Sequence, residues 1–363
     1  MKKKKVLVGM SGGVDSSVTA ALLKEQGYHV VGATMRLWTY SDDNPCREGC
    51  CSEAAVEDAR RVCDKLGIDF YVMNFKEQFK TDVVDYFVNE YTSGRTPNPC
   101  IACNKHLKFD AMLKKALAMG FDYIATGHYA KIERDENEKY ILRAADSCKK
   151  DQSYVLYQFT QEQLAHTLMP LGGYNKDDVR KIAENLGLNV AQKPDSMEIC
   201  FVEDGDYAGF IKDYAGYTPT PGDMLDVNGN VIGRHKGIIY YTIGQRKGIG
   251  AFGRPMFVMK IDAENNTITL GERGMEFYEE LFAGEINFIS GEIPKEPMRA
   301  SVRVRYHAKA ADAEIIPSEG GVRVVFDEPQ RAVTPGQAVV FYDGDIVLGG
   351  GTVVDMRQKR SDI

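Results

Sequence analysis

Two groups of residues in this chain have the types and spacing to do chemistry. The first is Gly9-Met10-Ser11-Gly12-Gly13-Val14-Asp15-Ser16, where adjacent glycines are flanked by two hydroxyls. Glycines let the main chain approach a ligand closely. If a helix begins at such a turn, its unpaired N–H groups attract an anion, and the serines add donors. The natural guest is a phosphate. The turn is not the Walker loop, because no G-x-x-x-x-G-K-[ST] is present and the lysine that would reach a terminal phosphate is missing. Asp15 stands in its place and suggests a metal-bridged pyrophosphate. A turn that merely joined two elements would need neither serine.

The second group is thiols. Arg95-Thr96-Pro97-Asn98-Pro99-Cys100-Ile101-Ala102-Cys103 holds two prolines that stiffen the backbone and leads to Asn104, which reads as the N-cap of a helix over residues 104–119. At that position the helix dipole, with Lys105 and Lys108 nearby, would depress the thiol pKa of Cys103. The Cys100-x-x-Cys103 pair stays open between a reactive thiol, half of a metal site and a redox dithiol. Cys200, between Ile199 and Phe201, reads on its own as core. Cys46, Cys50 and Cys51 form an irregular trio without the two spaced pairs of a zinc site, and read as a loop before an N-capping Ser52.

The elements that must position these groups alternate. Val6 to Val8 reads as a buried strand and residues 17–26 as a helix. Strands at 29–35, 70–74 and 121–126 alternate with helices at 52–66, 76–91 and 104–119. This is a Rossmann-like α/β pattern, a parallel sheet with helices on both faces that binds ligands at the carboxyl ends of its strands. The glycine turn, Met35 and Gly127-His128 all fall at such ends. Residues 130–143 read as a hairpin, 151–157 as a short helical stretch and 175–188 as a helix with a solvated face. From about Asp206 the segments shorten into strands with turns at Asn228-Gly229 and Asp343-Gly344. The expected division is 1–205, a catalytic domain; 206–282, a small central domain carrying the basic segments 233–237 and 241–248; and 283–363, a C-terminal β-barrel.

Composition sets limits. A chain of 363 residues, 44% hydrophobic and 27% charged, suits two or three ordinary globular domains. The lysine-rich start is followed by too short an apolar run for a secretion signal, and no stretch is long enough to span a membrane, so the expected location is the cytoplasm. Eight cysteines there point to chemistry or metal binding rather than structural disulfides. A net charge of −7 excludes a protein coated in basic residues but allows a nucleic-acid partner met by local patches.

SGGVDS resembles the pyrophosphate loop of the ATP pyrophosphatases, which split ATP between its α and β phosphates. With GMSGGVDS at 9–16, NP-x-x-x-CN-x-x-x-KF ending at Phe109, ATGHYA at 125–130, KDQSY at 150–154, ICF at 199–201, YTIGQRKG at 241–248 and RVRY at 303–306, the whole chain resembles the tRNA-specific 2-thiouridylases. The resemblance implies sulfur transfer to carbon 2 of the wobble uridine, position 34, using ATP and Mg²⁺. It implies that Cys200 carries a persulfide delivered by a cysteine desulfurase or a relay protein, and that Cys103 is the second thiol, closing a Cys103–Cys200 disulfide. It assigns ATP contacts to Gly9, Met10, Ser11, Gly12, Gly13, Val14, Asp15, Ser16, Met35 and Gly127. Asn98, Pro99 and Cys100 match the segment facing the target base, and His128, Lys150, Asp151, Gln152, Arg305, Tyr306 and Gln337 match tRNA contacts. A monomer is expected.

One departure stands out: many members have Asp where this chain has Cys100. Cys100 and Asp15 are accordingly accessory catalytic candidates. The substitution also opens a second mechanism, in which Cys100, Cys103 and Cys200 hold a [4Fe–4S] cluster whose open iron carries hydrosulfide. Two readings outside this chemistry are a small-molecule ATP pyrophosphatase synthetase, which would not need Cys103 and Cys200, and a non-catalytic tRNA-binding protein, which would not need an intact SGGVDS.

Overall fold

The structure, a computed structural model, describes residues 3–38, 52–147, 149–194, 199–202 and 205–358. Val6, Leu7 and Val8 are fully buried because they lie in Lys5–Gly9, the central strand β1, with covered faces on both sides. β1 pairs in parallel with β2 (His29–Arg36), which pairs with β3 (Asp69–Asn74). On its other side β1 pairs with β4 (Tyr123–Ala125). A hairpin of β5 (Ala130–Arg134) and β6 (Tyr140–Ala144) follows, and the short β7 (Thr167–Leu168) then joins β4 in parallel. The sheet order β3-β2-β1-β4-β7 confirms the expected doubly wound α/β fold. It puts a topological switch point between β1 and β4, where such sheets hold ligands.

One face of the sheet is covered by α1 (Val14–Glu25), α2 (Glu53–Leu66) and the helix Lys176–Asn185, which pack on Val6, Val8 and Val30. The helix α2 begins at Ser52, whose Oγ accepts the Ala55 N–H at 3.2 Å, and ends at Gly67 in the left-handed region. The other face carries two helical rods, residues 76–92 and 99–118, packed on Leu7, Val31 and Ala33.

Two expected helix starts move. The helix α1 begins at Val14, inside the glycine turn, rather than at residue 17. The expected N-cap Asn104 is interior: the rod starts at Pro99 and its cap is Asn98, whose side chain accepts the Cys100 N–H at 3.1 Å. Proline at the first helical position lacks an N–H that would be orphaned anyway, so Pro99 starts the helix instead of delaying it. The rod passes through wider π-helical turns at Cys103–Ala111 before Met112–Ala118.

After the helix Tyr207–Ala215, strands β8 (Gly222–Leu225), β9 (Val231–His235), β10 (Met256–Asp262) and β11 (Thr267–Glu272) form a four-stranded sheet. The barrel follows as β12 (Phe277–Phe288), β13 (Met298–Arg303), β14 (Ala311–Ser318), β15 (Gly321–Arg331), β16 (Ala338–Asp343) and β17 (Ile346–Arg357), closed by pairing of β12 with β17. Strand β12 runs through the expected 282/283 division. The turns at Asn228-Gly229 and Asp343-Gly344 form, with both glycines at positive φ. The hairpin β5–β6 leaves the first domain and adds to the barrel sheet through β6 against β17.

Candidate active site

At the switch point Gly12 takes φ +69, and a Cβ there would lie 2.3 Å from the Ala55 carbonyl oxygen, so the turn lies against the start of α2. Gly13 caps α1 without a side chain, which leaves the first-turn N–H groups facing the crevice. Ser16 Oγ accepts the Ser11 N–H at 3.1 Å and lies 3.2 Å from Ser11 Oγ, while Ser17 Oγ donates to the Gly13 carbonyl at 2.8 Å. The two serines therefore clasp the turn into a cradle. Gly127, after β4, closes its other side: a Cβ there would lie 2.8 Å from Ser16 N and 2.9 Å from the Asp15 carbonyl carbon. Met10 is buried, its carbonyl accepting the Thr34 hydroxyl at 2.8 Å, and Met35 is half-buried at the end of β2.

The cation that the loop lacks comes from elsewhere. Lys176 Nζ lies 2.8 Å from both carboxylate oxygens of Asp15, and the Tyr129 hydroxyl donates to Asp15 Oδ1 at 2.6 Å. Lys193 Nζ donates to the Gly12 carbonyl at 3.0 Å and to Asp58 at 2.9 Å. Sequence reasoning missed Lys176, Lys193 and Tyr129. The usable signal was the missing Walker lysine, which required a cation from another segment.

His128 is buried, with Nδ1 2.8 Å from Thr126 Oγ1. Burial, reinforced by the positive charge of Lys108, holds its pKa well below the ordinary 6.5. Its ring lies 5.6 Å from that of Phe109, which joins the cysteine rod to the nucleotide crevice. Cys103 sits six residues before Phe109 on the same rod. Cys103 is buried and Cys100 is exposed on the first helical turn. Cys200 is half-buried and packs against the same apolar core as Cys103. Its neighbour Phe201 is locked there by Phe87, Phe210 and Phe79 at ring separations of 5.3, 5.2 and 5.6 Å. Among the described residues no group of three or more His, Cys, Asp or Glu side chains is arranged to hold a metal ion. Cys100, Cys103 and Cys200 thus do not form a ligand trio here, and the iron–sulfur alternative is not favoured. Cys46, Cys50 and Cys51 lie outside the described residues.

The residues matched to tRNA contacts join the domains. Asp151 is buried and accepts from Arg303 at 3.1 Å and from the Ser153 hydroxyl at 3.0 Å, while the Tyr306 hydroxyl donates to its carbonyl at 2.9 Å. Gln152 accepts the Tyr129 N–H at 3.0 Å, Arg305 donates to Thr334 Oγ1 at 3.0 Å, and the Gln337 amide donates to the Thr96 carbonyl at 2.7 Å. Lys150 is half-exposed, and Asn98 and Pro99 form the start of the cysteine rod.

Fold and crevice together define an adenine-nucleotide-binding α/β protein of the HUP class with two β-rich domains appended. Family models match all three parts: one described as the tRNA methyl transferase HUP domain over residues 4–204, one as its PRC-barrel domain over 208–272, and one as an aminomethyltransferase beta-barrel domain over 278–353. The tRNA-specific 2-thiouridylase MnmA of Acetivibrio thermocellus is 59% identical over 97% of this chain and 100% of its own length. That of Clostridioides difficile is 57% identical over 96% of this chain and 98% of its own. The chain belongs to the tRNA-specific 2-thiouridylase family. Among the described residues no helix is long and apolar enough to cross a membrane.

Proposed function

We propose that this chain catalyses ATP-dependent sulfur transfer to carbon 2 of the wobble uridine of tRNA. The observation that carries the reading is the junction at one sheet end of a serine-clasped phosphate cradle with a rod bearing Cys100 and Cys103. A small-molecule ATP pyrophosphatase synthetase would have no use for that rod's thiols, and a non-catalytic tRNA-binding protein would have none for the cradle.

Oxygen on carbon 2 of uracil is a poor leaving group. It attacks the α-phosphorus of ATP and displaces pyrophosphate, which the first-turn N–H groups of α1, Ser11 and Ser16 receive. Mg²⁺ bound with ATP would supply charge neutralisation on the phosphates, and Asp15 is the cradle carboxylate that would face it. In this conformation both Asp15 oxygens are occupied by Lys176, so Asp15 organises the cradle through that lysine and Tyr129. The terminal sulfur of a Cys200 persulfide then attacks carbon 2 and AMP departs. Attack of the Cys103 thiolate on the Cys200 sulfur releases 2-thiouridine and leaves a Cys103–Cys200 disulfide, which an external thiol reduces. In the variant order Cys103 attacks first and frees hydrosulfide as the nucleophile. A shared apolar core for Cys103 and Cys200 supports either order. Asn98, Pro99 and Cys100 face the flipped base, with His128, Lys150 to Gln152, Arg305 and Tyr306 along the tRNA path, and a cysteine desulfurase or relay protein loads Cys200.

Nucleoside mass spectrometry of tRNA after incubation with ATP, Mg²⁺ and a persulfide donor tests the proposal. It expects 2-thiouridine with stoichiometric AMP and pyrophosphate. ATP turnover without any thiolated nucleoside would sink it.

A further inference from the structure

Gln337 is matched by resemblance to a tRNA contact, yet its side chain is turned inward. Its amide Nε2 donates to the Thr96 carbonyl at 2.7 Å and reaches the Pro97 carbonyl at 3.4 Å. The Thr96 N–H in turn donates to the Pro335 carbonyl at 3.0 Å. Between these bonds Gly336 takes φ +88, and a Cβ there would lie 2.9 Å from Thr96 N, so the two loops meet backbone to backbone. The barrel loop is itself fixed: the Val353 N–H donates to the Gln337 carbonyl at 2.8 Å, and the Gln337 N–H to that of Thr334 at 3.1 Å. Arg305 secures the same loop by donating to the Ala332 carbonyl and Thr334 Oγ1, and reaches the Ile243 carbonyl of the central domain.

The sequence of the braced segment explains the need. Pro97 and Pro99 have no N–H, so residues 96–99 cannot join a ladder, and their carbonyls need donors from another element. Immediately after them Asn98 caps the rod through the Cys100 N–H. Whatever fixes residues 96–97 therefore fixes where the rod starts, and with it Cys100 and Cys103.

We infer that Gln337 is a positioning residue for the thiol chemistry: the barrel uses its amide to hold the proline segment that sets the cysteine rod. Only the turnover readout below rests on the thiolation reading, because thiol labelling requires neither ATP nor tRNA.

The full-length protein, without ligands, is treated with iodoacetamide, and modification of Cys103 is followed by peptide mass spectrometry in the native chain, Gln337→Ala, Gln337→Glu and Gln337→Lys. Loss of one such hydrogen bond is expected to raise the Cys103 labelling rate about tenfold in Gln337→Ala and Gln337→Glu, and to lower thiolation at saturating tRNA by a similar factor. Gln337→Lys, which keeps an N–H donor, should restore slow labelling. Thermal melting of each variant confirms that the labelled protein is folded. Native-like Cys103 labelling in both the Ala and Glu variants, with or without weaker tRNA binding, overturns the inference, as does labelling that Gln337→Lys fails to restore.

Discussion

Lys176 and Asp15 form a symmetric pair, with one ammonium 2.8 Å from both carboxylate oxygens, although the two residues stand 161 positions apart in sequence. The lysine is the first residue of the helix Lys176–Asn185 and its side chain is only 12% exposed. It brings a positive charge to a phosphate loop that carries none of its own. Because the carboxylate is 30% exposed, solvent screens part of the interaction.

Replacing Lys176 with Ala removes that charge from the crevice and leaves Asp15, among the described residues, with the Tyr129 hydroxyl alone as its side-chain partner facing the incoming phosphates. Partly screened, the loss is expected to lower tRNA-dependent pyrophosphate release about tenfold. Pyrophosphate release at saturating tRNA measures it, and a rate equal to the native one would remove Lys176 from the site.

Gly127→Ala tests the closeness of the two loops. Gly127 is not at positive φ, so the new methyl strains no dihedral. It would instead lie 2.8 Å from the Ser16 nitrogen and push the cradle apart. Nucleotide affinity, by calorimetric titration with ATP, should fall by about tenfold or more, while the melting temperature drops only a few degrees, because the loop can move without opening the core. Native affinity would mean the crevice closes elsewhere.

Parts of this site were legible in the sequence and parts were not, for physical reasons. The glycine turn and the Ser52 cap depend on residues within a few positions of one another, so local rules found them. The two prolines read as stiffening a segment that leads to a cap at Asn104, yet Pro99 occupies the one helical position where proline costs nothing and Asn98 is the cap. The Asp15–Lys176 pair and the Gln337–Thr96 bond are 161 and 241 residues apart, and nothing in the local pattern marks either partner. Lys176 falls within the stretch 175–188 that reads as a helix with a solvated face, and only the fold turns it inward.

His128 gives a pH signature. Its folded pKa is lowered, so between that value and 6.5 the unfolded chain binds a proton that the folded one refuses. Stability is therefore full above 6.5 and is lost as the pH falls below it. His106 is shifted the same way, mainly by burial, and adds to the slope. Urea unfolding at about pH 7 and about pH 5 should show the decline, and His128→Gln should flatten it in part. A pH dependence identical in the variant would mean that His128 is not held neutral.

Cys200→Ser separates activation of the base from sulfur delivery. The hydroxyl cannot carry a persulfide, while the cradle rests on Ser11, Ser16, Asp15, Lys176 and Tyr129, and Phe201 keeps its ring contacts with Phe87 and Phe79. The variant should therefore still bind tRNA and still release pyrophosphate on adenylating it, while forming no 2-thiouridine from a persulfide donor. Labelled ATP reports the first step and nucleoside mass spectrometry the second. Thiolation retained by Cys200→Ser would move sulfur carriage to another thiol, with Cys103 and the exposed Cys100 then the residues to substitute next.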